Sequence, residues 1–474
     1  MVFSSLLFTF FFLPVVLILY YLSKKGMKNY ILLAASLFFY GYGEPVFVFV
    51  MLASILINYG LALLIDRVRS GGGHARPHLA LAVIVNLGLL FVFKYLSFTL
   101  RTIDHFFHTG RVIEIALPIG ISFFTFQALS YVIDVYRGTV PVQKNPMYLA
   151  LYISFFPQLI AGPIVRYHTI EQQIRERSVN LEKFSDGARR FLYGFCKKVL
   201  IANNLSVVAT RVFDITNVQG EIGTVFLWMG ALAYTLQIYY DFSGYSDMAI
   251  GLGKLFGFTF EENFRDPYMC DSVTDYWRRW HISLGSWFRD YVYFPLGGSR
   301  CTVVKQIRNL LVVWALTGIW HGANWTFFIW GLLYFVMLVL EKFVVKPSAR
   351  PLPFRILWRI VSLTYIVWCF ALFNSQTFTA GRNYMRGMFG GYTALEAADP
   401  LYLSYFVREF GIYFVMAIVL ATPVFRWLSA QADKIRPLSY VKTFAQPLLS
   451  GFLFLWAVSF LILGVHNPFI YFNF

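Results

Sequence analysis

Long stretches without a single charged residue recur along the whole sequence. They fall at residues 3–22, 45–65, 115–133, 148–165, 222–240, 309–340, 360–381, 410–425 and 443–474. A helix needs roughly 20 apolar residues to cross the hydrocarbon core of a bilayer. Within lipid, only internally hydrogen-bonded helices or closed barrels satisfy the backbone. The pattern therefore predicts an all-α, multi-pass membrane protein with about 10–12 embedded segments, some of them re-entrant.

The composition and the first apolar stretch agree with this prediction. Hydrophobic residues make up 58% of the chain and charged residues only 14%, whereas soluble domains carry about a quarter charged residues. The first stretch lacks a basic n-region, is too long for the core of a signal peptide, and is followed by Lys24 and Lys25 instead of small residues. We expect it to remain as a helix with the N-terminus outside the cell.

Basic residues cluster in the short loops between apolar stretches, which predicts the orientation of the chain. The loops at 24–28 and 67–76 are separated by two spans and are both basic, so the positive-inside rule places them in the cytoplasm. The same rule places 166–198, 300–308, 342–359 and 426–442 inside, and 374–404 and 469–474 outside. The positive-inside rule thus accounts for the net charge of +16. Nucleic acid is therefore not the expected partner.

The cysteine and histidine spacings do not indicate a metal site or a disulfide. Cys196, Cys270, Cys301 and Cys369 show no paired spacing. The pairs His74/His78 and His105/His108 have helical spacing, but no carboxylate or cysteine joins them. We therefore expect no bound metal and no resident cofactor.

His321 is the strongest candidate for a catalytic residue. It lies in the charge-free stretch 309–340, and this stretch has basic residues on both sides. A chain that enters the membrane from the cytoplasm and returns to it must turn within the membrane. Gly318, Gly322 and Asn324 favour such a break in the helix. A helix from Asn309 to His321 rises about 18 Å, which predicts a depth near mid-membrane. A long tilted helix is the competing geometry.

A desolvated, neutral imidazole at this position suits removal of a proton from a hydroxyl that attacks a thioester. The alternative role of His321 is packing against a neighbouring helix. His281, beside two arginines and two tryptophans, has the alternative role of an interfacial anchor. Asn324 or a backbone N–H is a candidate donor to the oxyanion, and Trp320 and Asp241 are candidates for lining the site.

Five basic residues are candidates for holding the phosphates of an anionic donor on the cytoplasmic side: Arg278, Arg279, Arg300, Lys305 and Arg308. Their alternative role is topological anchoring by anionic lipid. A second basic cluster at 189–198 surrounds aromatic residues and favours an amphipathic helix at the inner interface, with Lys197 and Lys198 at its end.

Several segments carry a family resemblance. They are LPIGISFFTFQ (117–127), FFPQLIAGPI (155–164), YDFSGYSD (240–247), WRRWHISL (277–284), WFRDY (287–291), PLGG (295–298), GIWHGA (318–323) and FIYF (469–472). In this order, over nearly the whole chain, they resemble the membrane-bound O-acyltransferase (MBOAT) family. Within it, they are most similar to the AlgI-like branch, which O-acetylates alginate, peptidoglycan and other surface glycans.

The resemblance implies a single membrane domain, a ring of helices around a central tunnel, with N-terminal helices at 1–110, a core at 111–345 and C-terminal helices at 346–474. It implies that His321 is the catalytic histidine and His281 the second motif histidine. It also implies acetyl-CoA as donor, an extracytoplasmic acetyl-accepting protein as partner, and the bacterial cell membrane as location.

Alternatives remain at the level of sequence. A D-alanyl transferase (DltB-like) shares the motifs but is typically shorter, and the C-terminal spans from Phe410 onward favour the AlgI-like branch. A non-catalytic acyl or glycan conduit has no need of a deep histidine beside a helix break. His321 acts either as general base for direct transfer or as a transient acetyl carrier.

Overall fold

A computed structural model describes residues 1–219, 223–390 and 400–464. Within these ranges every regular element is a helix and no β-strand occurs. This confirms the predicted all-α class. The predicted outer tail at 469–474 and part of the predicted outer segment 374–404 lie outside the described residues.

Backbone contacts divide the chain into two compact units. The first comprises Met1–Phe191 and Tyr245–Glu261, and the second comprises Leu192–Gly244 and Glu262–Phe474. The helices that begin in the first unit are α1 Leu13–Leu22, α2 Lys28–Gly43, α3 Phe47–Ser70, α4 Arg76–Leu90, α5 Leu96–Phe107, α6 Ile121–Arg137, α7 Pro146–Ser154, α8 Phe156–Leu159, α9 Tyr167–Arg175 and α10 Leu181–Cys196. The predicted division at residues 110 and 345 stays a prediction.

The remaining helices begin in the second unit. They are α11 Asn203–Gln219, α12 Thr224–Leu255, α13 Val273–Arg279, α14 Ile282–Phe288, α15 Val303–His321, α16 Trp325–Val339, α17 Leu352–Asn374, α18 Phe378–Gly387, α19 Pro400–Leu420, α20 Val424–Ala432 and α21 Arg436–Ile462. Single π-helical turns at Lys197–Ala202, Arg289–Tyr293 and Leu340–Val345 extend α10, α14 and α16.

Six described helical segments are long and apolar enough to cross a membrane: Phe47–Ser70, Arg76–Phe107, Trp325–Ala349, Leu352–Asn374, Leu403–Leu420 and Pro437–Ile462. The shorter helix Phe8–Leu22 is also apolar. Large apolar side chains on these helices are exposed, for example Phe49, Ile84 and Leu448, as expected for surfaces that face lipid. The multi-pass architecture is confirmed, and the higher count of 10–12 embedded segments, which included re-entrant ones, stays a prediction.

A half-buried arginine joins three helices of the first unit. The Arg177 guanidinium donates to the Tyr20 hydroxyl at 3.1 Å, to the Phe256 carbonyl at 2.9 Å and to the Asn29 side-chain oxygen at 2.7 Å. It also stacks 4.4 Å above the Phe258 ring. These bonds hold α1, α2 and the end of α12 together.

A buried ion pair fixes α12 within the second unit. The Lys198 ammonium lies 2.8 Å from the Asp241 carboxylate, and both side chains are 2% exposed. The prediction that Lys198 belongs to an interfacial helix is therefore wrong. The amphipathic helix α10 ends at Cys196, and the π-helical turn that follows directs Lys198 inward, because its charge finds a carboxylate there.

Helices α15 and α16 form an antiparallel hairpin. Helix α15 ends at His321, residues Gly322–Asn324 turn, and α16 begins at Trp325. A Cβ atom on Gly318 would lie only 2.5 Å from the Phe327 carbonyl oxygen, and one on Gly331 would clash with the Trp314 carbonyl. The two backbones thus touch, as small residues permit between membrane helices. The predicted helix break is confirmed and excludes one long tilted helix, whereas the depth of His321 in the bilayer stays a prediction.

Candidate active site

His321 is the last residue of α15 and is 7% exposed. Its imidazole packs among aromatic rings, with ring centroids 5.2 Å from Trp320, 5.1 Å from Trp330 and 5.3 Å from Phe373. The Trp330 and Phe373 rings lie nearly perpendicular to the imidazole. This aromatic shell leaves the imidazole little contact with solvent.

His281 lies between α13 and α14 and has a left-handed backbone conformation, with φ of +46°. This conformation is uncommon for residues other than glycine. Hydrogen bonds to Asn263 hold it, since the Ile282 N–H donates to the Asn263 carbonyl at 3.0 Å and the Ser283 N–H and hydroxyl donate to its side-chain oxygen at 3.1 and 2.9 Å. Backbone strain that neighbouring bonds hold in place is typical of functional sites.

The Trp320 indole contacts both histidines. Its ring centroid lies 5.9 Å from that of His281 and 5.2 Å from that of His321. The His281 ring also packs against Phe242 at 4.6 Å and is 1% exposed. The structure therefore brings the two predicted histidines and Trp320 together, although 40 residues of sequence separate the histidines.

A cavity of about 1110 Å³ opens beside His281. We call it the large cavity. Aromatic and small polar side chains next to His281 in its lining include Trp277, Trp314 and Thr317. Charged residues line it as well: the basic Arg278, Arg279, Arg289, Lys342, Lys346 and Arg355, and the acidic Asp271, Asp275 and Glu341. Its volume is at the upper end of the range of pockets for small molecules, roughly 300–1000 Å³, and its lining suits a large, partly apolar anion.

The predicted donor-side residues separate into two groups. Arg278 and Arg279 line the large cavity, with Arg279 paired to Asp275 at 2.9 Å. Arg300, Lys305 and Arg308 are not among the residues that line it. The Arg308 guanidinium instead donates to the Asn309 side chain at 2.8 Å.

Four basic residues of the lining were not singled out by the sequence: Arg289, Lys342, Lys346 and Arg355. Arg289 lies within a family segment, so its position in the WFRDY motif was an available signal. Lys342 and Lys346 follow an apolar stretch and match the positive-inside pattern, which hid any other role. Only the fold brings them beside the WRRWH segment.

Glu341 is a further lining residue that the sequence did not single out. It is 3% exposed and lines the large cavity. Its carboxylate accepts hydrogen bonds from the Val273 N–H at 2.8 Å, the Thr274 N–H at 2.7 Å and the Trp358 indole at 2.9 Å. A carboxylate at a helix N-terminus is favourable. Glu341 thereby positions α13, the helix that carries Arg278 and Arg279, against α16 and α17.

A much smaller cavity of about 10 Å³ lies beside His321. We call it the small cavity. Its lining consists of Ile238, Phe242, Trp280, His321, Trp330, Phe370 and Phe373. His321 is the only one of these residues that titrates, so the small cavity is apolar apart from the imidazole and two indole N–H groups.

The remaining candidates have structural partners. Asn324 caps α16, because its side-chain oxygen accepts from the Thr326 N–H at 3.1 Å while its amide donates to the Gln376 carbonyl at 2.8 Å. Asp241 pairs with Lys198 and lines neither cavity. Its neighbour Phe242 lines the small one. Within the described part of the chain, no group of three or more His, Cys, Asp or Glu is arranged to hold a metal ion.

Comparison with known proteins adds an independent finding. Residues 141–379 match the model of the membrane-bound O-acyltransferase family, a segment that contains both histidines and both cavities. A probable alginate O-acetylase AlgI of Pseudomonas syringae is 43% identical over 395 residues, covering 81% of this chain and 74% of the relative.

Two further relatives are similar over essentially their full length. A probable alginate O-acetylase AlgI of Azotobacter vinelandii is 38% identical over 505 residues, covering 100% of both chains. A peptidoglycan O-acetyltransferase of Helicobacter pylori is 32% identical over 529 residues, covering 100% of this chain and 98% of the relative.

Proposed function

Since this chain belongs to the membrane-bound O-acyltransferase family, we propose that it transfers acetyl from cytoplasmic acetyl-CoA to a hydroxyl acceptor outside the cell. The product is an O-acetylated cell-surface or secreted polysaccharide, as the names of the alginate and peptidoglycan relatives suggest. The chain is thus an O-acyltransferase in a multi-pass membrane setting.

One observation carries this proposal: His281 and His321 both contact the Trp320 indole. His281 lines the large cavity with its charged residues, and His321 lines the small, apolar cavity. Acyl transfer from a charged carrier needs this combination. The carrier is an anion that requires basic residues, whereas the thioester carbonyl reacts best where water is excluded.

In the proposed reaction, His321 takes the proton from the acceptor hydroxyl as its oxygen attacks the thioester carbonyl carbon. A C–O bond forms, the C–S bond breaks, and the imidazolium gives the proton to the departing thiolate, so that coenzyme A leaves as the free thiol. In the alternative path, a nitrogen of His321 attacks the carbonyl carbon first, and the C–S bond breaks as coenzyme A leaves. The acceptor hydroxyl then attacks the acetyl-imidazole, the C–N bond breaks, and the hydroxyl proton returns to the imidazole. Both paths use the same imidazole.

The proposed donor site is the large cavity. Phosphates would lie near Arg289, Lys342 and Lys346, and the pantetheine arm would extend along Trp277 toward His281. Clustered cations attract phosphate groups at modest cost, since none of these side chains is fully buried. Asn324, already engaged as a helix cap, is a weaker candidate for an oxyanion donor than the sequence indicated.

The proposed acceptor is a hydroxyl on a separate extracytoplasmic protein. The predicted outer segment 374–404 contains no histidine or cysteine and is too short for a folded sugar-binding domain. The small cavity beside His321 has no room for a sugar ring. Reconstitution of this chain alone with acetyl-CoA and a glycan tests this directly, because efficient acetylation of the polymer without a second protein would contradict it.

The proposed topology places the loops 24–28 and 67–78 in the cytoplasm and both termini outside, in a bacterial cell membrane. The basic loops support it through the positive-inside rule. Single cysteines introduced into these loops, labelled from each side of sealed vesicles, measure the orientation. The proposal also places residues 383–404 outside, and labelling of this loop only from the cytoplasm would contradict it.

The decisive test is transfer from radiolabelled acetyl-CoA by purified protein. His321→Ala is expected to lower the rate by about 100- to 10,000-fold, the range of a lost general base. His105→Ala, at an exposed histidine of α5, is the matched control and is expected to retain native activity. Native rates in His321→Ala would support a non-catalytic conduit, the rival function.

A further inference from the structure

The small cavity beside His321 has a volume of only about 10 Å³, which is space for a single water-sized group. A methyl group is close to that size, and each additional methylene of an acyl chain needs nearly as much space again. The volume is therefore in the range where one carbon atom decides whether a group fits.

The walls of the small cavity resist expansion. Trp330 and Phe370 are 1% exposed and Phe373 is 3% exposed. The Phe373 ring packs 4.9 Å from Trp330 and 6.0 Å from Phe370, and Phe370 packs 5.8 Å from Trp280. Interlocked aromatic rings at crystal-like density do not open without displacing their neighbours.

The position of the cavity relates it to the reacting carbon. A carbonyl that is attacked with the help of His321 must lie beside the imidazole, and the first carbon of its acyl chain is one bond away. The small cavity adjoins that same imidazole. The large cavity, which has room for a carrier, contains His281 in its lining instead of His321.

We infer that the small cavity is the acyl-binding pocket and that Ile238, Phe370 and Phe373 limit the transferred group to acetyl. This inference rests on the proposed function and deepens it by naming the residues that set the acyl specificity. Propionyl and longer chains exceed the space. A D-alanyl group is excluded for a second reason, because the lining offers its ammonium no carboxylate and no carbonyl side chain, and an unpaired buried charge is costly.

The test is a competition between acetyl-CoA and propionyl-CoA in one reaction vessel. The product ratio does not depend on how much of a preparation is folded, so it reports specificity even when a variant is unstable. One methylene in an apolar pocket is worth roughly 10- to 200-fold in discrimination. The native protein is expected to favour acetyl by at least about tenfold.

Ile238→Ala enlarges the small cavity from α12 and is expected to raise the propionyl-to-acetyl ratio by about tenfold, with Ile238→Val giving a smaller rise in the same direction. Ile360→Ala removes the same atoms from an exposed position on α17 and is expected to leave the ratio unchanged. Phe370→Leu repeats the enlargement from α17.

Three outcomes decide the matter. A raised ratio in the Ile238 and Phe370 variants, and not in Ile360→Ala, supports the acyl pocket. Equal native use of acetyl and propionyl, or a ratio that no lining variant changes, overturns it while leaving acyl transfer itself intact. Failure of the native protein to transfer any acyl group, with an acceptor protein present, overturns both this inference and the proposed function.

Discussion

The large and small cavities of the second compact unit differ in almost every physical property, although each reaches a histidine that contacts Trp320. The large cavity has a volume of about 1110 Å³ and nine charged lining residues besides His281. The small cavity has a volume of about 10 Å³ and His321 as its only titratable residue. The large cavity therefore offers charge and space, whereas the small cavity offers a narrow apolar surface.

Under the proposed function, this contrast means that one cavity holds the carrier while the other selects and activates the acyl group. Binding energy from the carrier's phosphates acts equally on substrate and transition state, so it sets KM. Groups beside the reacting carbon act mainly on the transition state, so they set kcat and acyl specificity. Variants of the two cavities are therefore expected to have different kinetic signatures.

The largest effect on stability is expected at the buried ion pair of Lys198 and Asp241. Lys198→Met leaves the Asp241 carboxylate buried without its ion pair, which typically costs about 3–5 kcal/mol. Phe242, the next residue, lines the small cavity, so loss of this support should also lower kcat. Thermal unfolding in detergent measures the change, and Lys198→Met/Asp241→Leu is expected to recover most of the stability, because no isolated charge remains.

The matched control removes an exposed ion pair of the first unit. Arg101 lies 3.4 Å from Glu114, with side chains 56% and 67% exposed. Arg101→Met is expected to change the unfolding temperature little, because exposed pairs contribute at most about 1 kcal/mol. Equal losses in the Lys198 and Arg101 variants would contradict a special role for the buried pair.

A smaller loss of stability is expected for a variant in the wall of the large cavity. Glu341→Ala removes the acceptor of two backbone N–H groups and the Trp358 indole, and a hydrogen bond to a charged group contributes about 1.5–3 kcal/mol. Since α13 then loses its position, KM for acetyl-CoA should rise by about tenfold or more. Glu341→Gln keeps one acceptor oxygen and is expected to restore part of the effect. Glu182→Ala, at an exposed carboxylate, is the control.

The lining cations of the large cavity are expected to have a moderate effect on binding alone. In Arg289→Gln/Lys342→Gln/Lys346→Gln, KM for acetyl-CoA should rise by about tenfold at low salt, with kcat little changed, because each partly exposed charge contributes at most about 1 kcal/mol. The difference from native protein should shrink as salt increases. A lowered kcat with an unchanged KM would contradict the division of roles between the cavities.

The smallest effect is expected for the basic residues outside this lining. Arg300→Gln/Lys305→Gln/Arg308→Gln removes the same charge as the previous variant, so it is matched in long-range electrostatics. Because these side chains do not line the large cavity, KM is expected to stay within about twofold of native. A tenfold rise here would show that the donor extends beyond the large cavity.

The sequence predicted the all-α class and the helix break at His321 because both follow from local chemistry. A polar residue in a long charge-free stretch is conspicuous, and glycine and asparagine after it permit the turn. The resemblance added His281, whose surroundings alone suggested an anchor. Its left-handed backbone and its bonds to Asn263 depend on a segment 18 residues earlier in the chain, so no local pattern indicates them.

Glu341, Lys342 and Lys198 could not be assigned from the sequence for a common reason. Each lies at the border of an apolar stretch, where charged residues are expected as topological signals. Whether such a charge faces the lipid headgroups or turns inward depends on its partner, and the partners Asp241, Val273 and Thr274 are distant in sequence. Tertiary contact, and not composition, decides between the two.

The close contact of Gly318 and Gly331 in the α15–α16 hairpin has a consequence for the stability of the position that His321 occupies. Side chains at a helix interface compete with lipid tails of equal polarity, so an interface made of leucines gains little from burial in a membrane. Two backbones in direct contact leave no gap that a lipid tail can enter. We therefore expect the location of the His321 imidazole to depend little on the composition of the surrounding bilayer, so that a cell could change its lipids without altering this position.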